Sequence, residues 1–334
     1  MTNANSPRRI LITGGLGFIG FHLAQRLSAD PNTAVVLVDN LVRGRLDADA
    51  EALLALPNVS FLDGDLTDPA CIASLGTGYA EVYHFAAVIG VSNVLKHPDR
   101  VLRVNAMSTL LLLDWFVAGG AERFLFPSTS EAYAWTQHVL PLPVPTPETV
   151  PLAITDVHNP RASYAGSKIL GELAVAHYGA QHGKPVAIVR YHNVYGPRMG
   201  TQHVIPELYY RAAFERQDPL VVYSPDHSRA FCYVDDAVTA TMAATRLPAA
   251  AGGIFNIGNA SEEITIRDLA AKILTLSGRP DVIEGRTAEN DPVQRRCPDV
   301  SRAEQVLGYV PQVSLDEGLR RTMAWYEEYY RSVG

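Results

Sequence analysis

Cysteine is scarce: Cys71, Cys232 and Cys297 are the only three in a chain of 334 residues, and they stand far apart. No C-x-x-C spacing occurs, which excludes a sequence-readable zinc ribbon and a disulfide framework and suits a reducing compartment. The ten histidines show no H-E-x-x-H or comparable ligand spacing. Metal-dependent chemistry is therefore not expected, and His84 and His192 read as packing or local hydrogen-bonding residues. No uninterrupted apolar run approaches the roughly 20 residues of a spanning helix. The start, MTNANSPRRILITGG, lacks an apolar stretch followed by a small-residue cleavage site. These absences predict a cytoplasmic chain without a membrane partner. A basic excess is missing too, since 28 Lys and Arg face 35 Asp and Glu for a net charge of −7. That balance argues against a dedicated nucleic-acid binder. It leaves room for an anionic small ligand, which needs only a few well-placed arginines.

What is present is apolar material for a large core, 47% hydrophobic against 19% charged, with no internal repeat or low-complexity tract. Short β-prone runs stand at 9–13 (RILIT), 34–39 (AVVLVD), 59–62, 81–86 (EVYHFA), 123–127 (RFLFP) and 185–190 (PVAIVR). Helical stretches lie between them, notably around 100–118 and 162–182. The alternation predicts an α/β fold, a Rossmann-type doubly wound parallel sheet. A Pro-rich segment within 136–161 reads as a surface loop. From about 191 the alternation breaks, which predicts a smaller C-terminal substrate-binding domain. The expected division is residues 1–190 with a return segment at about 231–258, against 191–230 and 259–334. A ligand is expected in the cleft of such an arrangement.

Gly14-Gly15-x-Gly17-x-x-Gly20 follows the first strand and opens a helix, as a phosphate-cradling loop must. Gly14, Gly17, Phe18, Ile19 and Gly20 are thus candidate cofactor residues. Asp39 ends the second strand 19 residues past Gly20, where a carboxylate accepts hydrogen bonds from ribose hydroxyls and repels a 2′-phosphate. NAD is therefore expected rather than NADP, with Asn40 beside it. Arg43 and Arg45 lie close enough to bear on that preference, or are solvated loop residues. Tyr164 and Lys168 sit at i and i+4 of a helix, so that a nearby cation can favour the phenolate of an otherwise poor base. Thr129, just past the fifth strand, can share a proton with the same substrate oxygen.

Nine motifs in order then carry a resemblance. They are TGGLGFIG at 13–20, DGDLTD at 63–68, YHFAA at 83–87, the 128–133 segment, YAGSK at 164–168, YHNVYGPRMG at 191–200, SRAFCYVDDA at 228–237, FNIGN at 255–259 and DPVQRRCPDVSRAEQVLGY at 291–309. Through them the chain resembles the extended short-chain dehydrogenase/reductase family of NAD-dependent nucleotide-sugar epimerases, dehydratases and decarboxylases. The resemblance implies that Asp65 and Leu66 contact adenine, that Ala86, Ala87 and Asn105 line the dinucleotide, and that Tyr191 and Val194 lie near the nicotinamide. It implies that Asn193, Tyr223, Arg229 and Arg296 hold the nucleoside diphosphate of the substrate, with Arg295 a rival to Arg296. It further implies a homodimer built on the helices near 100–118 and 162–182.

Family chemistry begins with loss of the sugar O4 proton to Tyr164 as the C4 hydride leaves, giving a 4-keto sugar. Three branches follow: 4-epimerisation, 4,6-dehydration, or loss of a C6 carboxylate as carbon dioxide. The 128–133 segment and DPVQRRCPD resemble the UDP-glucuronate decarboxylases most, which also carry a Ser-Glu pair where Ser130 and Glu131 stand. The arginine that those enzymes place after the GPR motif is replaced here by His203, a poorer partner for a carboxylate. Dehydratases place Asp before the Glu, and Ser130 is a far weaker acid. Glu131 reads equally as a base at C5 or as a polar loop residue. On these grounds the expectation is a 4-epimerase, with the decarboxylase or dehydratase as the alternative. A non-catalytic dinucleotide-binding regulator would have no need of Thr129, Tyr164 and Lys168 together. A one-way NADPH-consuming reductase would be opposed by Asp39.

Overall fold

A computed structural model describes residues 7–288 and 293–333. Residues 1–6 of the start and Asp291 and Pro292 of the last motif lie outside the described residues. The chain divides into two compact units. The first comprises Met1–Pro141, Pro151–Arg190 and Ala240–Phe255, and the second Leu142–Val150, Tyr191–Thr239 and Asn256–Gly334. The return segment is shorter at both ends than the expected 231–258, because 231–239 and 256–258 fall in the second unit.

A seven-stranded sheet organises the first unit. Its strands are β1 (Arg8–Thr13), β2 (Thr33–Asp39), β3 (Val59–Asp63), β4 (Tyr79–His84), β5 (Ala121–Thr129), β6 (Val186–Tyr191) and β7 (Ile254–Ile257), in the order β7-β6-β5-β4-β1-β2-β3. β1 pairs in parallel with both β2 and β4, so the direction of winding reverses between β1 and β4. In such sheets the crevice at the reversal, beyond the carboxyl ends of the strands, is where ligands bind. Continuous apolar runs suit strands covered on both faces, and Ile10, Leu11 and Ile12 are fully buried.

Helix α1 (Phe18–Ser28) follows β1, α2 (Pro98–Trp115) crosses from β4 to β5, and α3 (Glu131–Ala134) follows β5. Helix α4 (Ala162–His182) precedes β6 and ends where Gly183 turns left-handed at φ 60°. Leu112, Leu113, Phe124, Val175 and Ile188 form one core cluster of helices and sheet. Gly171 lets α4 approach closely, since a Cβ there would lie 2.2 Å from the Phe126 ring. Among the described residues one helical stretch, Pro98–Gly120, is long and apolar enough to cross a membrane by length and composition, although Asp99, Arg100, Arg103 and Asp114 interrupt it. In the structure its buried face, including Val101, Leu112 and Leu113, packs into the core.

The strands of the second unit are short, two to four residues each, beside helices that include the 19-residue Leu315–Val333. The strand Ser228–Ala230 lies between Glu263–Thr265 and Arg295–Arg296, and Leu220–Tyr223 pairs in parallel with Ile283–Arg286. The Pro-rich stretch is not simply a surface loop. Its residues 142–150 belong to this unit, where the Thr146 N–H donates to the Cys297 carbonyl and the Asp299 N–H donates back.

Candidate active site

The glycine loop sits at the winding reversal. Gly14 holds φ 65°, and a Cβ there would lie 2.7 Å from the Ala86 nitrogen. At Gly20 a Cβ would lie 2.3 Å from the Gly14 carbonyl oxygen. Helix α1 begins at Phe18 and Ile19 with Gly17 as N-cap, no side-chain cap bond and no acid in its first turn. Its N-terminal amides and dipole therefore favour an anion. Asp39 accepts from the Leu16 N–H at 3.1 Å and the Leu41 N–H at 2.9 Å, which aims its carboxylate at the loop. Each oxygen retains a second lone pair for a ribose hydroxyl. These features fit the adenosine diphosphate half of NAD.

Not every expected cofactor residue offers its side chain. Leu66 is 4% exposed and belongs to the core cluster, so only its backbone is available to adenine. Asp65 is exposed and accepts from the Thr67 N–H and hydroxyl, and Asn40 is exposed beside Asp39. The Asn105 amide is committed within the protein. It accepts from the Val88 N–H at 2.7 Å and donates to the Val88 carbonyl and to Ser167, all on the first unit. Asn105 thereby fixes the segment after β4 that contains Ala86 and Ala87.

The structure brings Thr129, Glu131, Tyr164 and Lys168 to the carboxyl end of β5 and the first turns of α4. Thr129 hydrogen-bonds the Tyr164 phenol, and its hydroxyl also accepts from the Glu131 N–H at 3.2 Å. Burial and then the Glu131 charge push the phenol up to about 12, while Thr129 and Arg43 pull it down. The cation that eases this phenol is Arg43, from the loop after β2 and singled out in the sequence only for the cofactor preference, rather than the expected Lys168; burial outweighs it. Lys168 donates to the Pro127 carbonyl at 2.7 Å and lies 4.8 Å from the Phe126 ring centroid. Burial lowers it to about 8, against the pull of Glu172. Behind them, His84 bonds Thr13 at 2.8 Å and Thr109 at 3.1 Å, and burial holds it neutral, down at about 3.

In the second unit Arg229 and Arg296 stand opposite each other on paired parallel strands. Arg295 is engaged differently: its Nε and Nη2 bind both oxygens of Glu263, at 2.7 and 2.8 Å, and hold that carboxyl down at about 2. Asn193 takes φ 42° and donates to the Ala230 carbonyl, next to Arg229. Tyr191 and Val194 flank it, on β6 and on the strand Val194–Tyr195. Tyr223, 53% exposed, lies on a different strand pair, and His203 is the N-cap of the helix Val204–Ala213. Ser130 is buried between Thr129 and Glu131.

A parallel sheet wound in this order, with its glycine loop at the reversal and a phenol–lysine pair on the helix before β6, defines the class of extended short-chain dehydrogenases/reductases. Residues 10–258 match the NAD dependent epimerase/dehydratase family, and the chain belongs to it. It is 34% identical over 318 residues to UDP-glucuronic acid decarboxylase 6 of Arabidopsis thaliana, covering 94% of this chain and 87% of that protein. It is 32% identical to the UDP-N-acetyl-alpha-D-glucosaminuronate decarboxylase of Bacillus cytotoxicus, covering 96% and 98%. Among solved structures, an epimerase of Methanothermobacter thermautotrophicus superposes with a TM-score of 0.86 at 28% identity, covering 99% of this chain and 95% of that one.

Proposed function

We propose that this chain is an NAD-dependent decarboxylase acting on a UDP-linked uronic acid. Glu131 carries the reading, because its carboxylate acts on the Tyr164 phenol and so stands near the atom that takes the sugar proton. A 4-epimerase needs Thr129, Tyr164 and Lys168 and has no use for a carboxylate there. Both relatives, matched over nearly the whole chain, are named as uronate decarboxylases, which supports the same branch. Together these observations outweigh the 4-epimerase expectation, which rested on His203 and Ser130.

NAD, when bound, supplies the oxidation at sugar C4 and the later return of the hydride. Tyr164 takes the O4 proton, with Thr129 donating to the phenolate as it forms. A ketone at C4 makes a C6 carboxylate a β-keto acid, whose C5–C6 electron pair moves toward the ketone oxygen as carbon dioxide leaves. Thr129 and Tyr164 hydrogen-bond that oxygen as its charge grows. C5 gains one proton in place of the lost carboxylate; Glu131, taking that proton from solvent, delivers it and is left as the carboxylate. In the second unit, the paired Arg229 and Arg296 are proposed to hold a diphosphate, for which planar guanidinium forks are well shaped. Helices α2 and α4 each expose two leucines, Leu102 with Leu110 and Leu170 with Leu173, which supports the homodimer as part of the same proposal.

The test is incubation with UDP-glucuronate and its 2-acetamido counterpart, following carbon dioxide release and the product by NMR. Release matching substrate loss, with C6 gone from the sugar, is expected. A product that keeps C6 and has inverted C4 would overturn the reading in favour of the epimerase.

A further inference from the structure

The 128–133 segment has two sides. Thr129 and Glu131 act on Tyr164, as described. Ser128, which strand alternation sends to the opposite face of β5, donates instead to Glu172 of α4 at 2.5 Å. Arg190 of β6 grips the same carboxylate as a fork, Nε to Oε1 at 2.9 Å and Nη2 to Oε2 at 2.6 Å. Its third nitrogen donates to the Tyr133 hydroxyl at 2.7 Å. Ser128, Glu172 and Arg190 are all buried, at 3–5% exposure, and Tyr133 is 3% exposed.

Such an array is costly to assemble in a core. A buried ion pair often contributes no more stability than well-packed apolar residues of the same volume. Its position gives it a different consequence. Glu172 lies one helical turn beyond Lys168 and is the anion that acts on that buried ammonium. The other titratable or charged groups around Lys168 give it little help. His84 from β4 is neutral, Tyr164 on the same helix is a neutral phenol at rest, Glu131 lies on the Tyr164 side, and Arg190 is itself a cation. We propose that Glu172, held by Arg190, Ser128 and Tyr133, is a positioning residue that keeps Lys168 protonated in the working enzyme. The inference rests on reading Tyr164 and Lys168 as the redox pair. It assigns the alkaline limit of activity to a carboxylate that touches neither substrate nor cofactor.

Only four lysines occur in the chain, Lys96, Lys168, Lys184 and Lys272, so a Cε-labelled lysine NMR titration is simple to read. It would be run on the full chain saturated with NAD and without sugar, with Lys168→Met identifying the signal. In Glu172→Gln, which keeps the shape and removes the charge, the Lys168 midpoint is expected to fall by about 1–2 pH units. The alkaline limb of kcat should move down by the same amount. The double variant Glu172→Gln/Arg190→Met removes the unpaired cation; it should regain thermal stability while the midpoint stays low. A folded Glu172→Gln or double variant with an unchanged Lys168 midpoint would overturn the proposal. Because no sugar enters the titration, its outcome is separate from that of the decarboxylase assay.

Discussion

At the scale of residues, the site is held in a resting state by burial. Tyr164 at about 12 is overwhelmingly protonated at neutral pH, so its work depends on charges that arrive with the ligands. Tyr164→Phe should therefore lower turnover about 10²–10⁴-fold while leaving cofactor affinity unchanged, as steady-state kinetics and NAD titration would show. Near-normal turnover would remove Tyr164 from the chemistry. His84 carries a pH dependence of its own. Its folded pKa of about 3 lies below the ~6.5 of an unfolded histidine, so the unfolded chain binds more protons between those values. Stability from this group is complete above about pH 6.5 and is lost as pH falls toward 3. Melting curves from about pH 7 to about pH 5 should fall more steeply for wild type than for His84→Gln; parallel slopes would refute this. The sequence marked Tyr164 and Lys168 because their i, i+4 spacing is local, and Thr129 because it follows the end of the fifth strand. Glu172 and Arg190 stayed illegible, since they stand 18 residues apart on two different elements and a helical glutamate ordinarily reads as a solvated face.

At the scale of elements, the first six strands were legible from apolar runs, and the structure alters their ends by a few residues. β7 was missed as a strand. It is four residues long, and Asn256 breaks its apolar character for a reason found elsewhere in the chain. The Asn256 amide donates to the Thr146 and Asp299 carbonyls and lies 3.2 Å from His192. The glycine loop was legible because backbone crowding constrains residue type directly. Gly20→Ala tests that constraint, since its Cβ would meet a carbonyl oxygen rather than a movable side chain. Overpacking of this kind costs about 1–3 kcal/mol. NAD binding should be lost or weakened at least ~10-fold as the loop opens, which 1.4 kcal/mol already accounts for. Unchanged NAD affinity by calorimetry would contradict the close approach.

At the scale of the whole molecule, neither unit is one continuous stretch of chain. The first takes Ala240–Phe255 from late in the sequence, and the second takes Leu142–Val150 from early in it. Residues 1–190 made alone would lack β7, leaving the β6 edge open where the Gly252 N–H donates to the Val186 carbonyl. That fragment should aggregate or melt without cooperativity; a sharp calorimetric transition would show the return segment to be dispensable. The Thr146 pairing also sets terms for recombination between relatives. A chimaera that exchanges only residues 191–334 would set one parent's Thr146 against the other parent's Cys297, Asp299 and Asn256. A working exchange of the recognition half therefore needs three crossovers, with residues 142–150 travelling beside the C-terminal piece as part of the same inheritance.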